Sequence, residues 1–534
     1  MNFLRKNTIK DILNNIPYAP ELYWRVRGRE LSEGSRFSLE YLRRELPDIT
    51  LQLKPFIDEA GRGKKIFLFA NLHYWIEHAT LLGSALAGLG HRVTLGYLPY
   101  SDWQKPVHAF DLRRQNLYAR SILAGAYPYV KTLSILDIPI EKAKLPVELE
   151  EAVREVSIFD SQYTLQVEQI DPSDPVLLMR QERNHLAAAA VYSWLKKNPQ
   201  DVVIVPNGTI QELGVVYRVA CHLNIPATTY EFGEQRERIW LGQNSEIMRQ
   251  DTDALWESRR KRPINDEQRA RIEALYRARE GGQRWENFAR LWQGIPPQGS
   301  ETIRKLLDLD QRPVVLISTN VIGDSLTLGR QAFTSGMTEW FVRVLHYFAG
   351  RPEIQVVIRV HPGEILTRGT SVVDIVRETL PELPAHMHLV GPREKVNTYD
   401  IMQVTDLGLV YTTTVGMEMA MHGIPVLVTG LTHYRGRGFT VDPMSWDDYF
   451  RQLEKTLKSP KKYRLSQAKI DLAWQYAYYF FFEFPRPFPW HLVRVWDDYR
   501  ERTLLQVLSP EGLEKYGSTF EYLVGETLDW NTID

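Results

Sequence analysis

Short, almost unbroken apolar runs recur along the middle of this chain, each followed by a polar loop and then by a segment with helical spacing. KIFLFA (65–70) is the first, leading through NLHYWIEH and the small-residue stretch ATLLGSALAGLG to HRVTLGYL. Brief apolar runs bounded by polar punctuation read as buried strands, and a helix between two of them makes a βαβ unit. Alanine and glycine let that helix lie close to the sheet, and Gly88 and Gly90 suit its C-terminal end. A second unit runs DVVIVP (201–206), an Asn-Gly turn, the helix TIQELGVVYRVACHLN and the strand IPATTYEFG. A further series starts at PVVLIST (313–319) and passes through TEWFVRVLHYF, QVVIRVH (355–361), HMHLVG, a short helix at TYDIMQV, DLGLVYT, the helix GMEMAMHG and PVLVTG. Residues 1–60 and 106–195 carry mainly helical spacing. Residues 255–300 are dense in charge and read as solvated helices bridging the two blocks.

Such repetition in two blocks predicts an α/β protein with two Rossmann-like, doubly wound domains facing a cleft, because ligands of open α/β sheets sit beyond the carboxyl ends of the strands. The expected division is a helical N-terminal extension (1–60), an N-terminal domain with its helical bridge (61–295), a C-terminal domain (296–455) and a helical, aromatic-rich segment (456–534). That last segment includes WQYAYYFFFEFPRPFPWHLVRVW (474–496), which reads as a packed helix whose rings fill a domain interface.

Composition narrows the function classes. The 534 residues carry 65 basic and 66 acidic side chains, so nothing in the bulk charge draws the protein to nucleic acid. Cys221 is the single cysteine, which excludes an internal disulfide or a multi-cysteine zinc site, and within VVYRVACHL it reads as a small buried hydrophobe. The N-terminal MNFLRKNTIKDILNN lacks the apolar stretch of a secretory signal, and no run approaches the length of a membrane helix. The expectation is a cytoplasmic protein, compatible with peripheral association at the inner membrane face or with a biosynthetic complex. Asp308-Leu-Asp310 spells an Asp-x-Asp, but it precedes the first strand of its domain, at the end opposite the expected site. No HExxH, Walker A or Gly-x-Ser-x-Gly motif occurs, so neither metal nor other cofactor is expected.

Candidate chemistry gathers at the carboxyl ends of the second-block strands. NVIGDSLTLG, containing Asn320, follows the first. His361-Pro362-Gly363-Glu364 follows the second. Thr412-Thr413-Thr414-Val415-Gly416, leading into a helix with Glu418, follows DLGLVY. Amide groups at a helix start, with the positive end of its dipole, favour an anion, and neighbouring hydroxyls add donors. Glycine at 416 would allow close approach of a ligand. Taken alone, the threonines read first as a helix cap. Their position beside His361 on neighbouring βα units points to a phosphate seat.

The order RVHPGE, a strand–helix unit, then DLGLVYTTTVGMEMAMHGIPVLVTGLTHYRGRGFT resembles the bacterial capsule polysaccharide biosynthesis proteins, glycosyltransferases of the two-Rossmann GT-B type that use CMP-Kdo. It is more loosely similar to bacterial sialyltransferases that use CMP-sugars. The matching positions are Thr413, Thr414, Gly416, Glu418, Gly423, Pro425 and Val426, with Phe439 where the family has leucine. VPNGTIQELGVVYRVACHLNIPATTYEFGEQRERIWLG extends the likeness to the first domain, bringing in Asn207, Gly208 and the Glu231-Phe232-Gly233 loop, where phenylalanine replaces an acid. The resemblance spans residues 201–440. It implies transfer from a nucleotide-activated sugar to a saccharide or lipid-linked saccharide, with no nucleic-acid partner. It further implies that Pro362, Thr412–Thr414 and the amides of Val415 and Gly416 hold the donor phosphate and that His361 hydrogen-bonds or protonates it. Glu418 would accept from ribose hydroxyls, and Glu231 would serve as base or nucleophile, with Glu234 and Glu212 as alternatives. Asn207, Gly208, Gly233 and Asn320 complete the cleft. Two other readings stay open: an enzyme like the UDP-sugar 2-epimerases, and a catalytically silent relative that binds polysaccharide or scaffolds a complex.

Overall fold

The computed structural model describes residues 10–16, 18–27, 37–57, 63–139, 145–288 and 294–530. The helical reading of 1–60 can be followed only within those limits, and the extreme N-terminal segment lies outside them.

Two sheets organise the chain. The first contains β1 (Lys65–Asn71), β2 (Arg92–Leu98), β3 (Val130–Ser134), β4 (Val202–Pro206), β5 (Ala227–Glu231) and β6 (Arg238–Gln243), and is completed from the far end of the sequence by β12 (Arg486–Pro487). The second contains β7 (Val314–Ser318), β8 (Gln355–Arg359), β9 (Met387–Val390), β10 (Leu407–Val410) and β11 (Val426–Val428). Strand order is β12-β6-β5-β4-β1-β2-β3 in the first and β11-β10-β7-β8-β9 in the second. All neighbours are parallel except β5–β6 and β6–β12. Along β1, Ile66, Leu68 and Ala70 enter one core while Phe67 and Phe69 enter another, so both faces are covered. β7 divides in the same way, Val314 and Leu316 against Val315 and Ile317. A strand buried on both faces has no polar side to show, which is why these runs read as continuously apolar.

Three strands depart from the sequence expectation. β3 lies inside the stretch taken as mainly helical, while β6 and β12 were not expected. The charged stretch 255–300 also differs: its helix Asp266–Glu280 buries Ile272, Leu275 and Tyr276 in the second-domain core, with Arg279 buried on the same helix. Cys221, expected to be buried, is exposed near the end of helix Gln211–His222.

After helix Gln467–Tyr478 and the π-turn Tyr479–Glu483, the chain leaves the second domain and returns to the first. Tyr476, Phe480 and Phe482 belong to the second-domain core, whereas Phe488, Trp490, Trp496, Tyr499 and Phe520 belong to the first. Among the described residues no helix is long and apolar enough to cross a membrane.

Candidate active site

In the second sheet, successive connections leave β7 in opposite directions, toward β8 on one side and β10 on the other, so the loops after β7 and β10 part to form a crevice. Asn320 Oδ1 ties them together by accepting from the Thr412 amide at 3.2 Å. His361 follows β8, with its amide donating to Thr319 Oγ1 at 3.3 Å. Its Nδ1 accepts from the Gly363 amide at 3.0 Å, which leaves Nε2 to carry the proton of the neutral ring. A side chain at 363 would meet that nitrogen, since an ideal Cβ there falls 2.9 Å from it. Glu364 turns away to accept from Ser371 Oγ and the Val372 amide, at the start of helix Val372–Thr379.

The threonine run does little capping. Thr414 occupies the cap position of the short helix Val415–Met421 without a side-chain bond to it, and Thr413 Oγ1 is 3.5 Å from the Val415 amide. Thr412 Oγ1 is buried without a hydrogen-bond partner. Instead the backbone of the run is pinned: Thr432 Oγ1 donates to Thr412 O at 3.1 Å, and Tyr434 Oη donates to Thr413 O at 2.6 Å. The Gly416 amide already donates to Thr413 O at 3.1 Å. Within the fold, glycine is required at 416 by Tyr434, whose hydroxyl would lie 2.4 Å from a Cβ.

Across the cleft, Asn207 and Gly208 both adopt the left-handed conformation (φ 57° and 80°). Asn207 Oδ1 accepts from the Thr209 amide at 3.1 Å, and its Nδ2 donates to Glu231 Oε2 at 3.1 Å. Glu231 also accepts from the Phe232 amide at 3.0 Å. Burial raises the Glu231 pKa, against the pull of those two bonds. Phe232, half-buried, packs on His78 (4.9 Å between ring centres) and His491 (5.0 Å).

Facing the threonines is a cavity of about 250 Å³, lined from both domains, with Phe480 and Phe481 of the π-turn and Pro485 just after it completing the wall. It gathers Asn320, His361, Pro362, Thr412, Thr413, Thr414 and Gly233 from the expected set. Val415, Gly416, Glu418, Asn207, Gly208 and Glu231 are not part of its lining, whereas Glu234 is. Glu418 sits behind the wall, 2% exposed, and pairs with Arg279 at 2.9 Å.

The sequence reading missed the cations. Arg238, Arg249, Arg279 and Arg330 line the cavity, against two acids, Glu234 and Asp324. Arg330 comes from the loop after β7 and donates across the domain boundary to Met248 O, beside Arg249. Burial, then Arg249, lowers the Arg330 pKa to about 10, so it stays charged at neutral pH and gains from an anion nearby. Burial alone would lower the Arg279 pKa, but Glu418, with Tyr399 and Tyr276, outweighs it and holds the pKa above the ordinary arginine value. His433 lies flat on Phe480 (3.8 Å, 7°), and burial, then Arg437 and Arg330, keeps it uncharged. Nothing local in the sequence separates these arginines from the rest of the 65 basic residues. Only the fold brings a charged helix, a post-strand loop and a turn after β6 to one point.

Two doubly wound sheets with a cation- and hydroxyl-lined crevice between them define the class of architecture. Residues 281–481 match the model of the family described as capsule polysaccharide biosynthesis protein, and that span contains His361, the threonine run and Arg330. No curated protein matches the chain. Among solved structures, it is similar to Thermosulfurimonas dismutans KpsC, a β-Kdo 2,4 transferase, at 17% identity over 52% of this chain and 78% of that one (TM-score 0.34). It is also similar to UDP-GlcNAc 2-epimerase from Neisseria meningitidis bound to UDP-GlcNAc, at 13% identity over 79% and 99% (TM-score 0.26). A third likeness is the N-terminal domain of Candida albicans trehalose-6-phosphate phosphatase, at 10% identity over 84% and 99% (TM-score 0.31).

Proposed function

We propose that this chain is a glycosyltransferase of GT-B type that moves an acidic sugar such as Kdo from a CMP-linked donor to a surface-polysaccharide or glycolipid acceptor at the cytoplasmic side of the membrane. The observation that carries this reading is the convergence of Arg249, Arg279 and Arg330 on the cavity walled by His361 and Thr412–Thr414. Breaking the bond between the anomeric carbon and the phosphate oxygen leaves negative charge on the nucleotide and oxocarbenium character on the sugar. Fixed cations and donors lower that barrier when they are aimed at the charge as it develops. In this reading the threonine hydroxyls and arginines hold the phosphate, and His361 Nε2–H donates to the leaving oxygen. The arginines would supply the charge neutralisation, so the transfer is proposed to need no metal. Glu234 lines the cavity and is proposed as the base that takes the acceptor hydroxyl proton as the new C–O bond forms. Glu231, held by Asn207, would shape the loop that presents it.

Calorimetry against CMP, CDP and UDP, followed by transfer assays with CMP-Kdo, tests the proposal. CMP should bind best, and His361→Ala should lose most turnover while keeping its melting temperature. Absence of binding to all three nucleotides would sink the transferase. Turnover of a free UDP-sugar without any acceptor would favour an epimerase instead.

A further inference from the structure

At the opposite ends of the first-domain strands lies a groove that the proposed transfer does not use. Its volume is about 860 Å³, and it runs between the starts of β1, β2 and β3 and the end of helix Pro175–Lys197. The parallel register sets Lys65 beside Arg92, and Thr94 beside Lys131. Alternate residues of a strand share a face, so Lys65, Arg92 and Lys131 all project to one side of the sheet. The facing wall carries Lys197 and the half-buried ring of Trp194, which packs on Phe67 with 5.0 Å between ring centres.

No acid lines this groove. The nearby Asp201 accepts from the Lys65 backbone amide at 2.7 Å. Among the described residues, Lys65, Arg92 and Lys131 form no ion pair with a carboxylate. Like charges on directly adjacent strands repel, so an anion bound between them would relieve that repulsion. In a chain whose net charge is −1, such a concentration is local and not a reflection of composition. The half-buried rings of Trp194 and Tyr129 add flat apolar surface of the kind on which sugar rings pack.

We propose that this groove binds a carboxylate-bearing oligosaccharide, with the cations pairing to its acid groups and Trp194 and Tyr129 packing against its rings. The inference rests on the transferase reading above: an enzyme that builds an acidic polysaccharide meets such a chain as its own product. At the far end of the sheet from the cleft, the groove would hold the chain clear of the reacting end.

The test is calorimetry on the full chain with tetragalacturonic acid as probe, with maltotetraose as the uncharged control and a ten-residue oligothymidylate as the nucleic-acid control. The double variant Arg92→Ala/Lys131→Ala changes only exposed side chains. The wild type should bind the acidic tetramer, the double variant at least tenfold more weakly, and maltotetraose should not bind measurably. CMP affinity should be the same in both proteins. Failure of the wild type to bind the acidic tetramer, equal binding by the variant, or equal binding of maltotetraose would overturn the proposal. Tighter binding of the oligothymidylate would overturn it in favour of nucleic acid. Loss of CMP binding alone, with the acidic tetramer still dependent on Arg92 and Lys131, would remove the nucleotide reading and leave an acidic-glycan groove.

Discussion

Glu418 shows how a motif residue can serve a site it never touches. The family resemblance implied a direct contact with the donor's ribose, whereas its carboxylate holds Arg279 at 2.9 Å with both side chains buried. The guanidinium it holds is the group that lines the cavity. Removing one partner of a buried ion pair typically costs about 3–5 kcal/mol, because the other charge is left uncompensated. Glu418→Gln is therefore expected to lower both the melting temperature and CMP affinity. Arg330→Gln should behave differently, since that guanidinium is already strained by burial and by Arg249. Losing its charge should leave the melting temperature nearly unchanged while weakening CMP binding by roughly tenfold or more, the equivalent of about 1.5 kcal/mol or above for a charge-assisted hydrogen bond. Calorimetry and thermal melts on the two variants separate a supporting residue from a contacting one. Gly416 offers a third case. Gly416→Ala should destabilise the threonine loop through the Tyr434 hydroxyl, and adding Tyr434→Phe should recover part of the lost melting temperature, because the colliding atom lies 2.4 Å away.

At the scale of elements, what the sequence revealed depended on burial symmetry. β1, β4, β7, β8 and β10 are covered on both faces and announce themselves as apolar runs. β3 (VKTLS) and β12 (RP) are edge strands, and β6 (RIWLGQ) is next to an edge; their mixed polarity and short length carry no such signal. Helix Asp266–Glu280 hid its buried face among so many charges that only packing identifies it. The positions of His361 and the threonine run were legible because they follow directly on strands. The arginines were not, because their meeting depends on how three separate elements pack. Helix His73–Gly88 carries another contact of this kind. Its Glu77 accepts from the Leu42 amide at 3.3 Å and from Trp496 Nε1 at 2.9 Å, joining early and late segments of the chain to the first domain. Burial, set against those two bonds, pushes its pKa up to about 7. Between the ordinary carboxylate value and pH 7 the folded chain binds more protons than the unfolded one, so stability falls as pH rises through that window and levels off above it. The ceiling of this effect is roughly 3 kcal/mol. Thermal melts from pH 4.5 to 8 should show the decline in the wild type and a flatter profile in Glu77→Gln; an unchanged slope in the variant would mean that another group is responsible.

At the scale of the whole molecule, the two sheets are not independent beads on a string. The chain passes from first domain to second and back, and the return is part of the first domain's core. Phe488, Trp490, Trp496, Tyr499, Leu504, Val507 and Phe520 pack with Ile66, Leu68, Trp75 and Tyr230, while β12 extends the sheet beyond β6. Burying an aromatic or large aliphatic side chain contributes about 1.5–3 kcal/mol, so the gross contribution of this group is of the same order as the net stability of an ordinary domain. The second-domain core receives its own late residues, Tyr476, Phe480 and Phe482, before the chain leaves it. A chain stopped after Phe484 should therefore keep one folded unit and lose the other. Limited proteolysis of that truncation should yield a protected fragment beginning near residue 250, with its N-terminal half digested, where the full chain protects both domains. Protection of both halves would mean that the first domain closes its core without the return segment. If the N-terminal half does open, CMP binding should weaken with it even though His361 and the threonines remain folded, because Arg249 reaches the cavity from the first domain. The proposed nucleotide seat would then depend on a segment far downstream of the threonine run, which touches the cavity at Pro485 and otherwise acts through packing.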